Sequence, residues 1–371
     1  MKIIITGDLV ITEEYETSKI HQDISNLFKE SDLNIINLEA PVTNSISKIL
    51  KTGPHLKSNR TGTLNVLKEL EIDVVALANN HILDLNEKGV MDTLSFCKIN
   101  NVKTVGAGIS LYEASRTLFI ETEVGTIAII NISENEWSNA TEFSAGANPM
   151  DLIDNANQIK AARKRAEFVF VIIHGGHEYY NLPSPRMQKQ YRYYAEQGAD
   201  IIVGHHSHCL SGNEIYNEVP IFYGLGNFLF TKQNIHKDWY LGLILEIEIN
   251  EAKLTTQLHP LKQQQKTFEL CLLQKEERKL INNRIANYNS IISDHKKLQT
   301  EWHNYIEAKY ELYLSMWSPL SFIKNKYLTA LLRRLPKKYI NKKGLALYLN
   351  LMRCEAHREM SIEVIGKYLK R

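Results

Sequence analysis

The sequence predicts an α/β protein, and three observations carry that reading. Short β-branched runs alternate with helical stretches through most of the first 250 residues, which argues for a layered fold around a largely parallel central sheet. Five of those runs end in polar residues of metal-ligand type. The 371 residues are 44% hydrophobic and 23% charged, the composition of an ordinary globular chain.

In chain order, residues 2–6 read as a strand closed by the turn Gly7-Asp8. Ile20, Ile24, Leu27 and Phe28 keep a helical period over 18–29. A second strand, 33–38, ends at Glu39 and is broken by Pro41. Leu64, Leu67 and Leu70 mark a helix, followed by a strand at 73–77 and the turn Asn79-Asn80-His81. A helix over 85–99 leads to a strand at 102–105. Val124-Gly125 separates two strands, 117–121 and 126–131, which read as a hairpin. A helix at 153–166 runs into the wholly apolar strand 168–173, which ends at His174-Gly175-Gly176. After a helix at 185–197 come the strand Ile201-Ile202-Val203 and the cluster Gly204-His205-His206-Ser207-His208. Further strands are expected at 220–223, 240–249 and 253–258.

Asp8, Glu39, Asn80-His81, His174 and His206-x-His208 each follow an apolar run, so each sits on a loop leaving a strand. If the strands are parallel, these loops open on one edge, where α/β sheets bind ligands. His206 and His208 are two apart and point to one side if the backbone there is extended. Singly the motifs are compatible with turns, caps or a solvated glutamate; their coincidence carries the inference. Two carboxylates, an amide oxygen and several imidazoles suit two divalent ions that share a ligand. Donors without thiolate favour manganese, zinc or iron. Two such ions can clamp a phosphoryl group and activate a water. Cys97, Cys209, Cys271 and Cys354 are far apart and indicate neither disulfides nor a cysteine zinc site. Cys209 adjoins His208 and reads as a packed thiol or a soft ligand.

The net charge of +2 hides an asymmetry. Residues 262–371 hold 22 Lys+Arg against 10 Asp+Glu, which leaves 1–261 net negative. Two domains are expected, 1–260 and a basic, mainly helical 261–371. Between Glu311 and Glu355 there are nine basic residues and no acidic one, interleaved with Trp317, Phe322, Tyr327 and leucines. Two readings stand: an amphipathic element that meets an anionic membrane or polyanion, or a helical cap that docks its apolar face on the acidic domain. No apolar stretch is long enough to span a bilayer and the start is no signal peptide, so the cytoplasm is expected, with peripheral contact at the inner membrane face through 312–371. No nucleic-acid module is recognisable, and no nucleic-acid partner is expected.

The order Gly7-Asp8, Asn37-Leu38-Glu39-Ala40-Pro41, Ala78-Asn79-Asn80-His81 with Asp84, His174-Gly175-Gly176-His177-Glu178-Tyr179, Gly204-His205-His206-Ser207-His208 and Tyr223-Gly224-Leu225-Gly226-Asn227-Phe228 resembles the CapA family. These are capsule and poly-γ-glutamate synthesis proteins, similar to calcineurin-like metallophosphatases, and the resemblance covers about residues 1–250. It implies a four-layer α/β/β/α metallophosphatase-like sandwich followed by an additional helical C-terminal region. Asp8, Glu39, Asn80, His174, His206 and His208 are implied as ligands of divalent metal, with Glu39 bridging. His81 is implied as the acid for the leaving group, oriented by Asp84. Glu178, His205, Tyr223 and Asn227 are implied as contacts to substrate or supports of the ligands. The sequence departs from the metallophosphatase Asp-x-His start, because Leu9-Val10 follow Asp8. Gly224 stands where the family loop usually has serine, and the family's usual N-terminal membrane anchor is missing from these residues. The implied activity is metal-dependent hydrolysis of a phosphate ester or an anionic polymer, in synthesis of a capsular or extracellular polymer. The other reading is a metal-binding assembly factor of a polymer synthase complex.

Overall fold

Runs such as Ile3-Ile4-Ile5, Ile35-Ile36 and 168–173 are apolar on both faces, so strands built from them need cover on both sides. The computed structural model supplies that cover with two stacked sheets and helices outside them. It describes residues 1–251, 253–316, 327, 342–353, 357, 361, 365–366 and 369. The strands are β1 (Lys2–Val10), β2 (Leu33–Leu38), β3 (Val74–Ala76), β4 (Lys103–Val105), β5 (Ala107–Gly108), β6 (Leu118–Thr122), β7 (Gly125–Ser133), β8 (Gly146–Ala147), β9 (Phe168–His174), β10 (Ile201–His205), β11 (Asn213–Tyr216), β12 (Val219–Phe222), β13 (Asn227–Phe230), β14 (Leu241–Asn250), β15 (Lys253–Gln263) and β16 (Leu270–Leu272).

One sheet runs β16-β15-β14-β1-β2-β3-β4, with β13 also paired to β1; the other runs β11-β12-β10-β9-β7-β6. A two-stranded ribbon joins β5 to β8. Strands β1 to β4 are mutually parallel, as are β7, β9, β10 and β12. The single central sheet expected from the alternation of elements is therefore two sheets. Alternation reports which strands are parallel: the first sheet is parallel from β1 to its edge at β4 and antiparallel on the other side, and the second has a parallel centre with antiparallel strands at both margins.

Between the sheets, Ile3, Ile5, Ile35 and Val74 of the first pack against Ile129, Phe170, Ile172 and Val203 of the second. The outer face of the first sheet is covered by α1 (Gln22–Lys29), α2 (Arg60–Glu69) and α3 (Asn86–Ile99), through Ile24, Phe28, Val66, Leu67, Val90 and Phe96. After the short α4 (Leu111–Ala114), α5 (Leu152–Arg163) and α6 (Pro185–Glu196) cover the second sheet through Ile159, Ala162, Met187, Tyr191 and Tyr194. Local chemistry places these helices. Asn59 caps α2, Asp151 caps α5, and Ser184 caps α6 with Pro185 in its first turn. The result is the four-layer α/β/β/α order that the resemblance implies.

The chain divides into two compact units, Met1–Gln299 and Thr300–Arg371. The first extends beyond the boundary expected at 260/261. Strand β15 crosses that point, β16 adds to the same sheet, and α7 (Lys275–Ile292) sends Ile281 and Ile285 into the inter-sheet core. The charge change near Lys262 is thus a change of surface, not the end of the fold. The second unit holds most of α8 (His295–Met316), and α9 (Lys342–Arg353). Six of the nine basic residues singled out there lie outside the described residues, as do Trp317 and Phe322. No helix among the described residues is long and apolar enough to cross a membrane.

Candidate metal centre

The carboxyl ends of β1, β2, β3, β9 and β10 meet at one edge of the sandwich, and a local device sets each side chain there. In β1, Thr6 pairs with Ile36 and Asp8 with Asn37, so Gly7 is an extra residue that re-aims Asp8. A Cβ at Gly7 would lie 1.9 Å from the Gly226 carbonyl oxygen, so only glycine fits there. Glu39 follows the last residue of β2. Asn79 ties its loop down by donating to the Leu38 carbonyl at 2.9 Å and accepting from the His81 N–H at 3.1 Å. The turn role and the ligand role thus fall on neighbouring asparagines. His206 and His208 have φ of 82° and 51°. They reach one site through left-handed backbone, not through the extended backbone read from their spacing. Such strain in non-glycine residues collects at functional sites.

Six side chains converge. His174 Nε2 is 3.1 Å from Asn80 Oδ1, 3.1 Å from His206 Nδ1 and 3.7 Å from Glu39 Oε1. On the other side of Glu39, His208 Nε2 is 3.5 Å from Oε1, and His208 Nδ1 is 3.4 Å from Asp8 Oδ2. Two donor groups result, Glu39-His174-His206 and Asp8-Glu39-His208, and Glu39 belongs to both. Ligand atoms about 2.0–2.2 Å from a shared ion stand roughly 3–4 Å apart, the spacing seen here.

Glu39 also tests the fit to a cation directly. It is fully buried, and neither oxygen has a hydrogen-bond partner. Burial pushes its carboxyl well above the usual range, and the charges of Asp8, Glu178 and Asp84 add to this, against His208. Burial would also raise Asp8, but the hydrogen bond to His208 and the charges of His174, His205 and His208 hold it below the ordinary value. Burial opposes charge on His208, yet Glu39 and Asp8 hold its proton up to about 10. Two buried carboxylates that draw a proton onto an imidazole need positive charge, and the donors present suit a divalent ion.

The supports are explicit. Asn37 Nδ2 donates to Asp8 Oδ1 at 2.6 Å. Asn227 Oδ1 faces His208 Nδ1 at 2.9 Å and its Nδ2 donates to the Trp239 carbonyl at 3.0 Å, which fixes the ring. Trp239 stands 4.8 Å from the His208 ring.

Beside the cluster, His81 Nδ1 lies 2.6 Å from Asp84 Oδ2, so Nδ1 carries the proton and donates. Asp84 also accepts from the Leu56 N–H at 2.6 Å and pairs with Lys51. Burial pulls His81 below its ordinary pKa, and Asp84 works the other way. His81, Asn80, His208 and Glu178 line a cleft of about 240 Å³ together with Lys51, Glu136, Tyr179, Lys232 and Trp239.

Two expected contacts do not reach the cleft. His205 stays in β10, where its Nε2 donates to the Thr6 carbonyl at 2.8 Å, so it joins the sheets. Tyr223 stacks on Tyr191 at 5.6 Å and its hydroxyl donates to Glu214, in the core on the outer face of the second sheet. Alternation along the chain turns it away from the loops. Glu136, Lys51 and Trp239 were missed. Glu136 accepts from Asn80 Nδ2 at 3.4 Å and stands 3.7 Å from His206 Nε2. It lies three residues past the end of β7, so the strand-end rule used elsewhere could have found it. Lys51 sits in an aperiodic stretch with no signal of its own.

Residues 2–232 match the family described as bacterial capsule synthesis protein PGA_cap. Over 227 residues the chain is 35% identical to the PGA biosynthesis protein CapA of Bacillus subtilis strain 168, covering 60% of this chain and 59% of that protein. It is 33% identical over 231 residues to the capsule biosynthesis protein CapA of Bacillus anthracis, covering 60% and 56%. The chain thus spans less than two thirds of the length of either relative. Among solved structures it is similar to a crystal structure described as a novel phosphatase from Mycoplasma pneumoniae, at 14% identity and a TM-score of 0.43, covering 71% of this chain and 93% of that one. The family match takes in more than half of the chain and every residue of the cluster around Glu39, and the chain belongs to the bacterial capsule synthesis protein family PGA_cap.

Proposed function

We propose that the protein is a metal-dependent hydrolase of the phosphoesterase type that acts in biosynthesis of a capsular or extracellular polymer, such as poly-γ-glutamate or a polysaccharide. The observation that carries this reading is a fully buried Glu39 shared by two donor groups, beside a histidine–aspartate pair on one cleft. Asp8, Glu39 and His208 would hold one divalent ion, and Glu39, Asn80, His174 and His206 a second, of manganese, zinc or iron. Bound there, the ions supply neutralising charge to a phosphoryl group and a water activated at neutral pH. The chain's own residues do the rest. Asp84 holds the Nδ1–H of His81, which aims Nε2 at the cleft; in the imidazolium form Nε2 carries the second proton and would pass it to the leaving oxygen, leaving the neutral ring on Asp84. A structural site has no need of such a pair. The capsule role comes from the relatives' names and from the family. The cytoplasmic location, and peripheral contact of 312–371 with an anionic membrane or a synthase complex, belong to the same proposal.

The test is metal content together with manganese-dependent hydrolysis of a phosphomonoester and a phosphodiester, in wild type, His81→Ala and His206→Ala. Turnover in wild type is expected. His81→Ala should lower kcat by about 10²–10⁴-fold with metal retained, and His206→Ala should lose metal and activity together. Bound metal without turnover on either ester would favour a non-catalytic assembly factor. Absence of metal after reconstitution would sink the catalytic reading.

A further inference from the structure

Lys51 is not accounted for by the chemistry above. Its side chain is only 3% exposed, so its ammonium is buried. Within 4 Å the one carboxylate it meets among the described residues is that of Asp84. Asp84 accepts from His81 and from the Leu56 N–H at 2.6 Å each on Oδ2, and the lysine meets its other oxygen, Oδ1, which takes up one of the ammonium's donors. His81 Nδ1, 3.2 Å from Nζ, spends its hydrogen on Asp84 and offers the ammonium nothing. Among the described residues, one of the three N–H donors of Lys51 has an acceptor. Burying an ammonium costs several kcal/mol unless its donors are matched, yet this one stands in the wall of the cleft beside Thr52, Gly53 and Pro54. It lies on the Nδ1 side of His81. The other ring nitrogen is the one left to face the reacting bond.

We infer that the ammonium of Lys51 binds an anionic group, a carboxylate or a phosphate, on the leaving portion of the substrate. The inference rests on the phosphoesterase reading for the direction of the bond and on the geometry for the charge. It narrows the substrate to esters whose leaving part carries a negative charge within a few bonds of the scissile oxygen. A polymer or precursor with a carboxylate in each unit is of this class, and a neutral alcohol is not.

The test separates this from the hydrolase reading by measuring binding instead of turnover. The full chain, loaded with manganese, is titrated calorimetrically with 2-carboxyethylphosphonate and with propylphosphonate, two non-hydrolysable probes that differ by one carboxylate. Wild type is expected to prefer the carboxylated probe by about tenfold, which corresponds to about 1.4 kcal/mol. Lys51→Met should remove the preference and leave propylphosphonate affinity within about twofold. Lys51→Arg should restore part of it, and Lys232→Met, at an exposed lysine of the same cleft, should leave most of it in place. An equal loss on both probes in Lys51→Met would reduce Lys51 to a support of Asp84 and overturn the inference. So would a preference that survives Lys51→Met, or its absence in wild type, which needs no variant to fold. A preference that depends on Lys51 in a protein without phosphoesterase activity would keep the anion site and sink only the hydrolase reading.

Discussion

Two polar clusters on the same sandwich, one part-buried around Glu214 and one fully buried around Glu39, treat charge in opposite ways. Around Glu214 both carboxylate oxygens meet donors. Arg192 gives Nε and Nη2 to its carboxylate at 2.9 and 2.6 Å, and the Tyr223 hydroxyl adds a third bond at 2.5 Å. Around Glu39 the nearest nitrogens are 3.5–3.7 Å away and neither oxygen is bonded. Buried polar groups are hydrogen-bonded as a rule, and each exception calls for an explanation. The closed cluster holds the fold together. The open one gathers six side chains of metal-ligand type, and its unmatched oxygens are those that a divalent ion would match under the proposed function.

Glu39→Gln should break this contrast most strongly. Metal affinity should fall by more than the roughly 10–100-fold that loss of a mere supporting residue costs. The metal-free variant should nevertheless melt higher than metal-free wild type, because a buried carboxylate without donors is gone. A lower melting point would mean that Glu39 is a structural residue like Glu214. Glu214→Gln should do the reverse. Metal content should stay, and denaturant titration should show a loss of about 2 kcal/mol. That is below the roughly 3–5 kcal/mol of a fully buried pair, because the Arg192 side chain is 32% exposed. No loss of stability would remove the closed cluster from the account.

A smaller effect separates His205 from its neighbours in the cluster. Burial holds it below the ordinary value of 6.5, with Asp8 and the Thr6 carbonyl pulling the other way. Its Nδ1 is buried without a partner, so the folded chain resists the proton that the unfolded chain accepts. The stability it contributes is full above pH 6.5 and declines as pH falls through its lower folded value. Thermal melting at about pH 7.5 and about pH 5.5 should show a drop of a few degrees in wild type. His205→Asn should drop less, and an equal drop would assign the effect elsewhere. The weakest effect concerns the second unit. Removal of residues 312–371 should lower association with anionic vesicles and leave turnover unchanged, and undiminished association would end the membrane reading.

The sequence made Asp8, Glu39, Asn80, His174, His206 and His208 legible because each follows an apolar run, and strand ends in a parallel arrangement share an edge. His81 and Asp84 were legible for a related reason: three residues apart on one turn, they meet at 2.6 Å. His205 and Tyr223, named as substrate contacts or supports, lie outside the cleft. Adjacency to a motif says nothing about the face to which alternation turns a side chain.

By itself, then, the sequence determined most of the longer elements, the parallel pairing of those that alternate with helices and the kinds of donor at the edge, since these follow from local periodicity and from what ends each run; the short strands β5, β8, β11, β13 and β16 were not legible in it. Local periodicity showed neither the two sheets nor the sharing of Glu39, which only the family resemblance implied; the tertiary structure decided how the sheets stack and where Glu39 stands between the donor groups. It also decided that Lys51, Glu136 and Trp239 enter the site from the loops that approach it. Those facts depend on contacts between residues dozens to hundreds of positions apart, and on the left-handed backbone at His206 and His208. No local pattern encodes the distance at which two strands from different sheets come to rest.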